Sequence, residues 1–134
     1  MTDTLQGAAD RLDTEQIGWL TTVSRGGQPQ ASPIWFLWHD DHIWLRSQAG
    51  AAKVANIRAN PKVAFHLGDD GQGGHVLTAE GTAEFVEQLP GTVREAYLAK
   101  YGRLITERLR STSEQLEAAY PISIRIRPKR ARSW

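Results

Sequence analysis

The chain has 134 residues, 40% of them apolar, which predicts one compact soluble domain spanning residues 1–134. The absence of Cys excludes disulfide scaffolds, thiol nucleophiles and Cys-ligated metal centres, and the near-balance of 16 basic against 15 acidic residues excludes a strongly charged partner for the whole surface. No apolar run approaches the roughly 20 residues of a membrane span, and the opening MTDTLQGAADRLDTEQIGWL lacks the basic start and apolar stretch of a signal peptide, so the expectation is a cytoplasmic protein without a membrane partner.

Residues 4–13, TLQGAADRLD, put Leu5, Ala8, Ala9 and Leu12 on one side at helical spacing and predict a short amphipathic helix that covers something. IGWLTTVS (17–24) is β-branched and apolar, RGGQ (25–28) supplies two glycines for a turn, and PQASPIWFLW (29–38) resumes extended character, a hairpin pattern. A turn at His39-Asp40-Asp41 leads into HIWLRS (42–47), so the three strands read as a meander. AGAAKVANIRANP then predicts a short helix ended by Asn60-Pro61. VAFHLG (63–68) reads as a fourth strand, DDGQGG (69–74) as a loop, and HVLTAEGTAEFVE (75–87) as a long fifth strand with Gly81 at a bulge. TVREAYLAKYG and SEQLEAAY predict two helices, the second capped by Thr112 or Ser113 and stopped by Pro121, with RLITERLRS between them of ambiguous type.

The last strand, ISIRIRP, alternates Ile122, Ile124 and Ile126 with Ser123, Arg125 and Arg127. It opens a basic end: the final ten residues carry five cations and no acid, leaving 11 basic against 15 acidic residues, or −4, on positions 1–124. Such an end suits a local anion or is simply solvated; five cations interrupted by Pro128 and Ala131 are thin grounds for nucleic acid, and none is expected as a partner. Six strands without crossover helices predict a mainly β, α+β fold, a six-stranded antiparallel barrel with short flanking helices.

Familiar catalytic patterns are missing. There is no GxSxG and no HExxH, the four histidines are scattered, and Asp40-Asp41 and Asp69-Asp70 sit in turns where Asp bonds the backbone, so no metal site is expected. The 68–74 glycines lack the Gly-Lys-Ser/Thr ending of a phosphate loop. What stands out is aromatic and cationic. Ser32 to Trp38, SPIWFLW, is apolar on both faces, so it is either buried on both sides, one side by a second subunit, or packs a flat ligand, and Pro33 argues for an irregular backbone there. Lys53 near the start of an alanine-rich helix is placed to hold a phosphate with the helix amides, or is a solvated lysine.

The order of TLQGAADRLDTEQIGWLTTVSRGGQPQASPIWFLWHDDHIWLRSQ, AKVANIRANPKVAFHL, EGTAEF and the closing IRIRP resembles the pyridoxamine 5′-phosphate oxidase-like split β-barrel proteins, of the FMN-binding split-barrel type. More narrowly it is similar to the actinobacterial branch that uses the deazaflavin coenzyme F420. The resemblance implies a homodimer with cofactor sites at the subunit interface. It implies that Pro33, Ile34, Trp35 and Phe36 run along the deazaflavin ring, that Arg46, Ser47 and Gln48 lie near the ribityl chain, and that Lys53 with Asn56 binds the phosphate. Relatives often carry a basic residue or proline before that lysine, where this chain has Gly50-Ala51-Ala52. The basic C-terminus with Trp134 is placed to reach a partner's anionic cofactor tail. The expected function is an F420-dependent reductase transferring hydride to a small electron-poor organic substrate, the cofactor carrying the chemistry. Tyr97, Tyr101 and His66 are candidate proton donors. The alternatives are an FMN-binding pyridoxamine-phosphate-oxidase-like protein and a non-catalytic flavin or deazaflavin binding protein.

Overall fold

The computed structural model describes residues 2–134. Two short helices, α1 (Thr2–Gly7) and α2 (Ala9–Thr14), precede β1 (Gly18–Val23), β2 (Pro29–Ile34), β3 (Leu37–His39) and β4 (His42–Ser47). Then come α3 (Ala52–Ala59), β5 (Lys62–His66), β6 (Leu77–Val86), α4 (Gly91–Arg103), a π-helical turn (Leu104–Arg108), α5 (Ser113–Ala119) and β7 (Ile122–Ser133). The strands form one antiparallel sheet in the order β2-β1-β5-β6-β7-β4-β3. Among the described residues no helix is long and apolar enough to cross a membrane.

Chain connectivity forces this sheet to curl. Its two edge strands are consecutive in sequence: β2 ends at Ile34 and β3 begins at Leu37. Three residue steps reach at most about 10 Å, whereas six flat strand spacings would separate the edges by about 29 Å. The sheet therefore wraps around Leu20, Ile34, Phe36, Ile43, Leu45, Phe65, Ile124 and Ile126, all buried in one cluster. Leu5 and Leu12 of the two N-terminal helices are fully buried in the same cluster, so these helices plug the barrel core. A second cluster lies outside the curl, where Leu37 and Trp44 meet Val93, Tyr97 and Tyr101 of α4, Ile105 and Leu116.

The sheet has seven strands, not six. The segment read as one strand over 29–38 divides at Trp35-Phe36 into β2 and β3, which run along opposite edges. A simple meander is thereby replaced by an order in which β1 pairs with β5 and β4 with β7. The crossing costs the ladder its hydrogen bonds at Phe36, and α4 replaces them. The Phe36 N–H donates to the Tyr101 hydroxyl at 2.8 Å, and the Phe36 carbonyl accepts from Lys100 Nζ at 2.9 Å. The Tyr101 hydroxyl in turn donates within a fork formed by Phe36 O at 2.9 Å and Gln16 O at 2.8 Å. Buried backbone groups need such partners, so the crossing is stable only with α4 in place. Part of the doubly apolar 32–38 run is thus explained within the chain: Phe36 enters the barrel core, while Leu37 packs under the helices.

The predicted N-terminal helix is two helices, breaking at Ala8. The basic C-terminus is not a loose tail: β7 continues to Ser133, pairing Arg130, Ala131 and Arg132 with Glu80, Ala79 and Thr78 of β6. Arg125 and Arg127 both reach Glu84, at 2.6 and 3.5 Å. The register slips between Glu80 and Gly81, the expected bulge, where a Cβ on Gly81 would collide with the Arg127 carbonyl. Turn chemistry follows the residues: Asp40 and Asp41 both take positive φ (55° and 60°) in a two-residue hairpin between His39 and His42. Asp69 and Asp70 accept backbone N–H groups of Gly71, Gly73, Gln72 and Gly74, so this loop bonds itself. Thr112 and Gln115 form a reciprocal capping box on α5.

Candidate functional site

Where β2 gives way to the crossing, a cleft of about 270 Å³ opens between the strand end and the helices. One wall is Pro33, Ile34 and Trp35, from the end of β2 and the crossing; Ile17, just before β1, lies beside them. The opposite wall is helical, with Tyr97 of α4, Leu109 after the π-helical turn, and Leu116 and Tyr120 of the α5 region. Trp35 is held flat: its ring stacks on Tyr101 with centroids 4.5 Å apart and planes 2° from parallel. A fixed aromatic plane and aliphatic walls suit a flat, apolar ring.

Two cations complete the lining, Arg46 and Lys53. Arg46, at the end of β4, is committed. Its Nε donates to Tyr120 O at 3.0 Å, its Nη2 to Glu117 O at 3.3 Å, and its Nη1 contacts the Glu117 carboxylate at 3.5 Å. Lys53, in the first turn of α3, has no hydrogen-bond or ion-pair partner among the described residues, and partial burial holds its ammonium below the usual lysine range. A desolvated, unpaired cation favours an anion that would supply its missing counter-charge.

Lys53 also borders a polar groove of about 450 Å³ with Ala51, Ala52, Asn56, Thr22, Gln30 and Ser32. Ala51 offers no side-chain cap to α3, so the first-turn N–H groups there have no side-chain acceptor. Asn56 is buried and spends its amide on Thr22 Oγ1 at 2.9 Å and Gln30 Oε1 at 2.8 Å, which fixes α3 against the β1–β2 hairpin.

The structure therefore gathers Pro33, Ile34, Trp35, Arg46 and Lys53 in one cleft and puts Asn56 in the adjoining groove. The other three stand apart from the cleft lining: Phe36 is wholly inside the barrel, Ser47 is buried with its hydroxyl on Gln48 O, and Gln48 is exposed. Of the candidate proton donors only Tyr97 lines the cleft, where burial pushes its hydroxyl up from the ordinary tyrosine value. Tyr101 serves the crossing, and His66 stacks on Trp19 across β1 and β5. Ile17, Leu109, Leu116 and Tyr120 were not foreseen; Ile17, Leu109 and Tyr120 reach the cleft from element ends, and only Leu116, in the middle of α5, carried a periodic signal. Among the described residues no three His, Asp or Glu side chains gather as for a metal.

Solved structures with the same fold span nearly the whole chain. The conserved hypothetical protein Rv2991 from Mycobacterium tuberculosis is 28% identical, with a TM-score of 0.75 over 96% of this chain and 82% of that one. An F420 reductase is 26% identical, with a TM-score of 0.69 over 90% of this chain and 92% of that one. The heme storage protein HutZ from Vibrio cholerae, at 18% identity and a TM-score of 0.71 over 96% and 94%, shares the fold alone. No curated protein matches the sequence. The family model described as pyridoxamine 5′-phosphate oxidase matches residues 5–134. With the curled antiparallel sheet and its cleft, that match makes the chain a member of the pyridoxamine 5′-phosphate oxidase family of split β-barrels.

Proposed function

We propose that this chain is a coenzyme F420-dependent oxidoreductase, reducing a small electron-poor organic substrate. The observation that carries the reading is the pairing of an apolar, aromatic-walled cleft with one half-buried, unpaired cation, Lys53. A tricyclic ring with a ribityl phosphate needs those two features together. The similarity to an F420 reductase over most of both chains favours the deazaflavin over FMN.

When bound, the reduced cofactor supplies the hydride, from its C5 position. The protein's own residues bind and orient. Pro33, Ile34 and Trp35 offer the face for the ring, with Trp35 fixed by its stack on Tyr101. Lys53 and the uncapped start of α3 hold the phosphate, and Asn56 keeps α3 in place. Leu109, Leu116 and Tyr120 keep water from the ring.

A cleft of about 270 Å³ lies just below the usual range for ligand pockets, roughly 300–1,000 Å³, as suits half of a shared site. Ile17 and Trp19 are exposed beside it. On this reading two copies of the chain complete each site; light scattering giving the mass of two chains supports it, and the mass of one overturns it.

Parallel fluorescence titrations of the purified protein with F420, FMN and hemin test the assignment. Saturable binding with F420 tightest is expected. Tighter binding of FMN or hemin, or no binding of F420, overturns it.

A further inference from the structure

Two tyrosines stand one turn apart on the same face of α4, and their hydroxyls are used differently. Tyr101 spends its oxygen on Phe36 and Gln16 at the crossing. Tyr97 is 4% exposed, and its ring lies against Tyr101, with centroids 5.0 Å apart, in the second cluster with Leu37, Val93 and Leu116. Its hydroxyl has no hydrogen-bond partner among the described residues, where every fully enclosed side-chain polar atom has one. The oxygen is therefore not enclosed, and the space it reaches is the cleft that Tyr97 lines. Burial pushes its ionisation up, so the hydroxyl is neutral and has a proton to donate. The other polar groups of the lining differ in kind. Arg46 is held by the Tyr120 and Glu117 carbonyls, Lys53 carries a charge, and Tyr120 is 37% exposed, so water competes for its hydroxyl.

We propose that the Tyr97 hydroxyl is the neutral hydrogen-bond donor by which the cleft recognises its ligand, and that the ligand class it selects is a flat ring bearing an uncharged acceptor, a carbonyl oxygen or a ring nitrogen, at its edge. This rests on the cleft being a ligand site, as in the proposed function, and holds for either occupant that carries such an acceptor, a substrate or the ring of the cofactor. A donor fixed in a packed wall favours an acceptor over a C–H edge, because a hydrocarbon displaces water and leaves the hydroxyl unpaired. The hydroxyl donates a hydrogen bond and keeps its proton, so no covalent bond is made or broken at Tyr97. On a carbonyl substrate the same bond draws electron density towards the oxygen and makes the carbon a better hydride acceptor.

Equilibrium dialysis of the purified, cofactor-free protein against 9-fluorenone and fluorene, flat tricycles that differ in one carbonyl oxygen, tests this. Tyr97→Phe is expected to weaken fluorenone about 3- to 10-fold, as for the loss of one neutral hydrogen bond, and to leave fluorene unchanged. Tyr120→Phe removes the other tyrosine hydroxyl of the lining and is expected to leave both affinities unchanged. The infrared carbonyl stretch of bound fluorenone should lie at its hydrogen-bonded frequency in the wild type and rise in Tyr97→Phe to its value in an alkane. Unchanged fluorenone binding or equal loss of both compounds in Tyr97→Phe, loss of fluorenone in Tyr120→Phe, an alkane-like stretch in the wild type, or no binding of either compound to the wild type overturns the proposal. Titration of Tyr97→Phe with F420 then tells the sources apart: weaker binding than wild type assigns the acceptor to the cofactor ring, equal binding to the substrate. A wild type that ignores F420 yet loses fluorenone selectively in Tyr97→Phe overturns the cofactor assignment and supports this proposal. Far-UV circular dichroism establishes that each variant is folded; should Tyr97→Phe unfold, the carbonyl stretch in wild type and Tyr120→Phe decides, and both must be hydrogen-bonded.

Discussion

Removing one oxygen atom, in Tyr101→Phe, tests how the edge-to-edge crossing is held. The Tyr101 hydroxyl is the acceptor for the Phe36 N–H, and Phe36 is fully buried, so the variant strands a buried donor with no water to replace the partner. The Phe36 carbonyl keeps its bond from Lys100, and Gln16 is exposed enough for water to take over its carbonyl. The net loss is therefore one stranded N–H, about 1–3 kcal/mol. The ring itself stays, so the Trp35 stack should survive. Urea unfolding followed by tryptophan fluorescence should show a lower midpoint with an unchanged slope. Tyr97→Phe is the internal comparison. Its hydroxyl has no protein hydrogen-bond partner among the described residues, so it should cost less than Tyr101→Phe. A Tyr101→Phe loss below about 0.5 kcal/mol, or one no larger than that of Tyr97→Phe, would refute the reasoning.

Gly81→Ala drives a methyl into the Arg127 carbonyl at the bulge and should cost about 1–3 kcal/mol in thermal or urea unfolding; a neutral substitution would mean that β7 can slide. Deleting residues 129–134 removes the partners of Leu77 to Glu80 and should lower the melting temperature while weakening F420 and FMN binding alike, whereas a selective loss of F420 with stability intact would assign the basic end a cofactor-binding role. Burial pushes the Lys100 ammonium down to about 8, against which Asp13 and Glu15 act. Between about 8 and the ordinary 10.5 the unfolded chain holds more of the proton, so the Lys100 contribution to stability rises with pH across that window and its burial penalty is full below it. The urea midpoint of wild type minus that of Lys100→Met should accordingly increase from pH 7.5 to pH 10; a flat or falling difference contradicts the placement of Lys100.

Local signals were legible where local chemistry decides. The 25–28 glycines, the Asp40-Asp41 turn, the Thr112 cap and the Ile122-Ile124-Ile126 alternation each settle their own few residues. The split at Trp35-Phe36 was not legible, because its stabilising partners, Lys100 and Tyr101, are more than 60 residues away along the chain. β4 pairs with β7 only as far as Ile126, so Pro128 sits where one side of β7 is open and a missing N–H is tolerated. The helical wall of the cleft was hidden for a related reason: Leu109 and Tyr120 are exposed apolar residues at element ends, where periodicity says nothing. Glu117 reads as one more acid on a solvated helix until Arg46 and Arg94 arrive from two other elements.

Lys53 is the hinge of the functional reading, and the phosphate is what it should recognise. Fluorescence titration of wild type and Lys53→Ala with F420 and with its deazariboflavin chromophore, which lacks both phosphate and tail, reads the Lys53 contact as the change in preference between the two proteins. A charged phosphate contact of about 1.5–3 kcal/mol predicts that the wild type prefers F420 by roughly 10- to 100-fold and that Lys53→Ala loses this preference while still binding the bare chromophore. The same preference in both proteins would contradict the account.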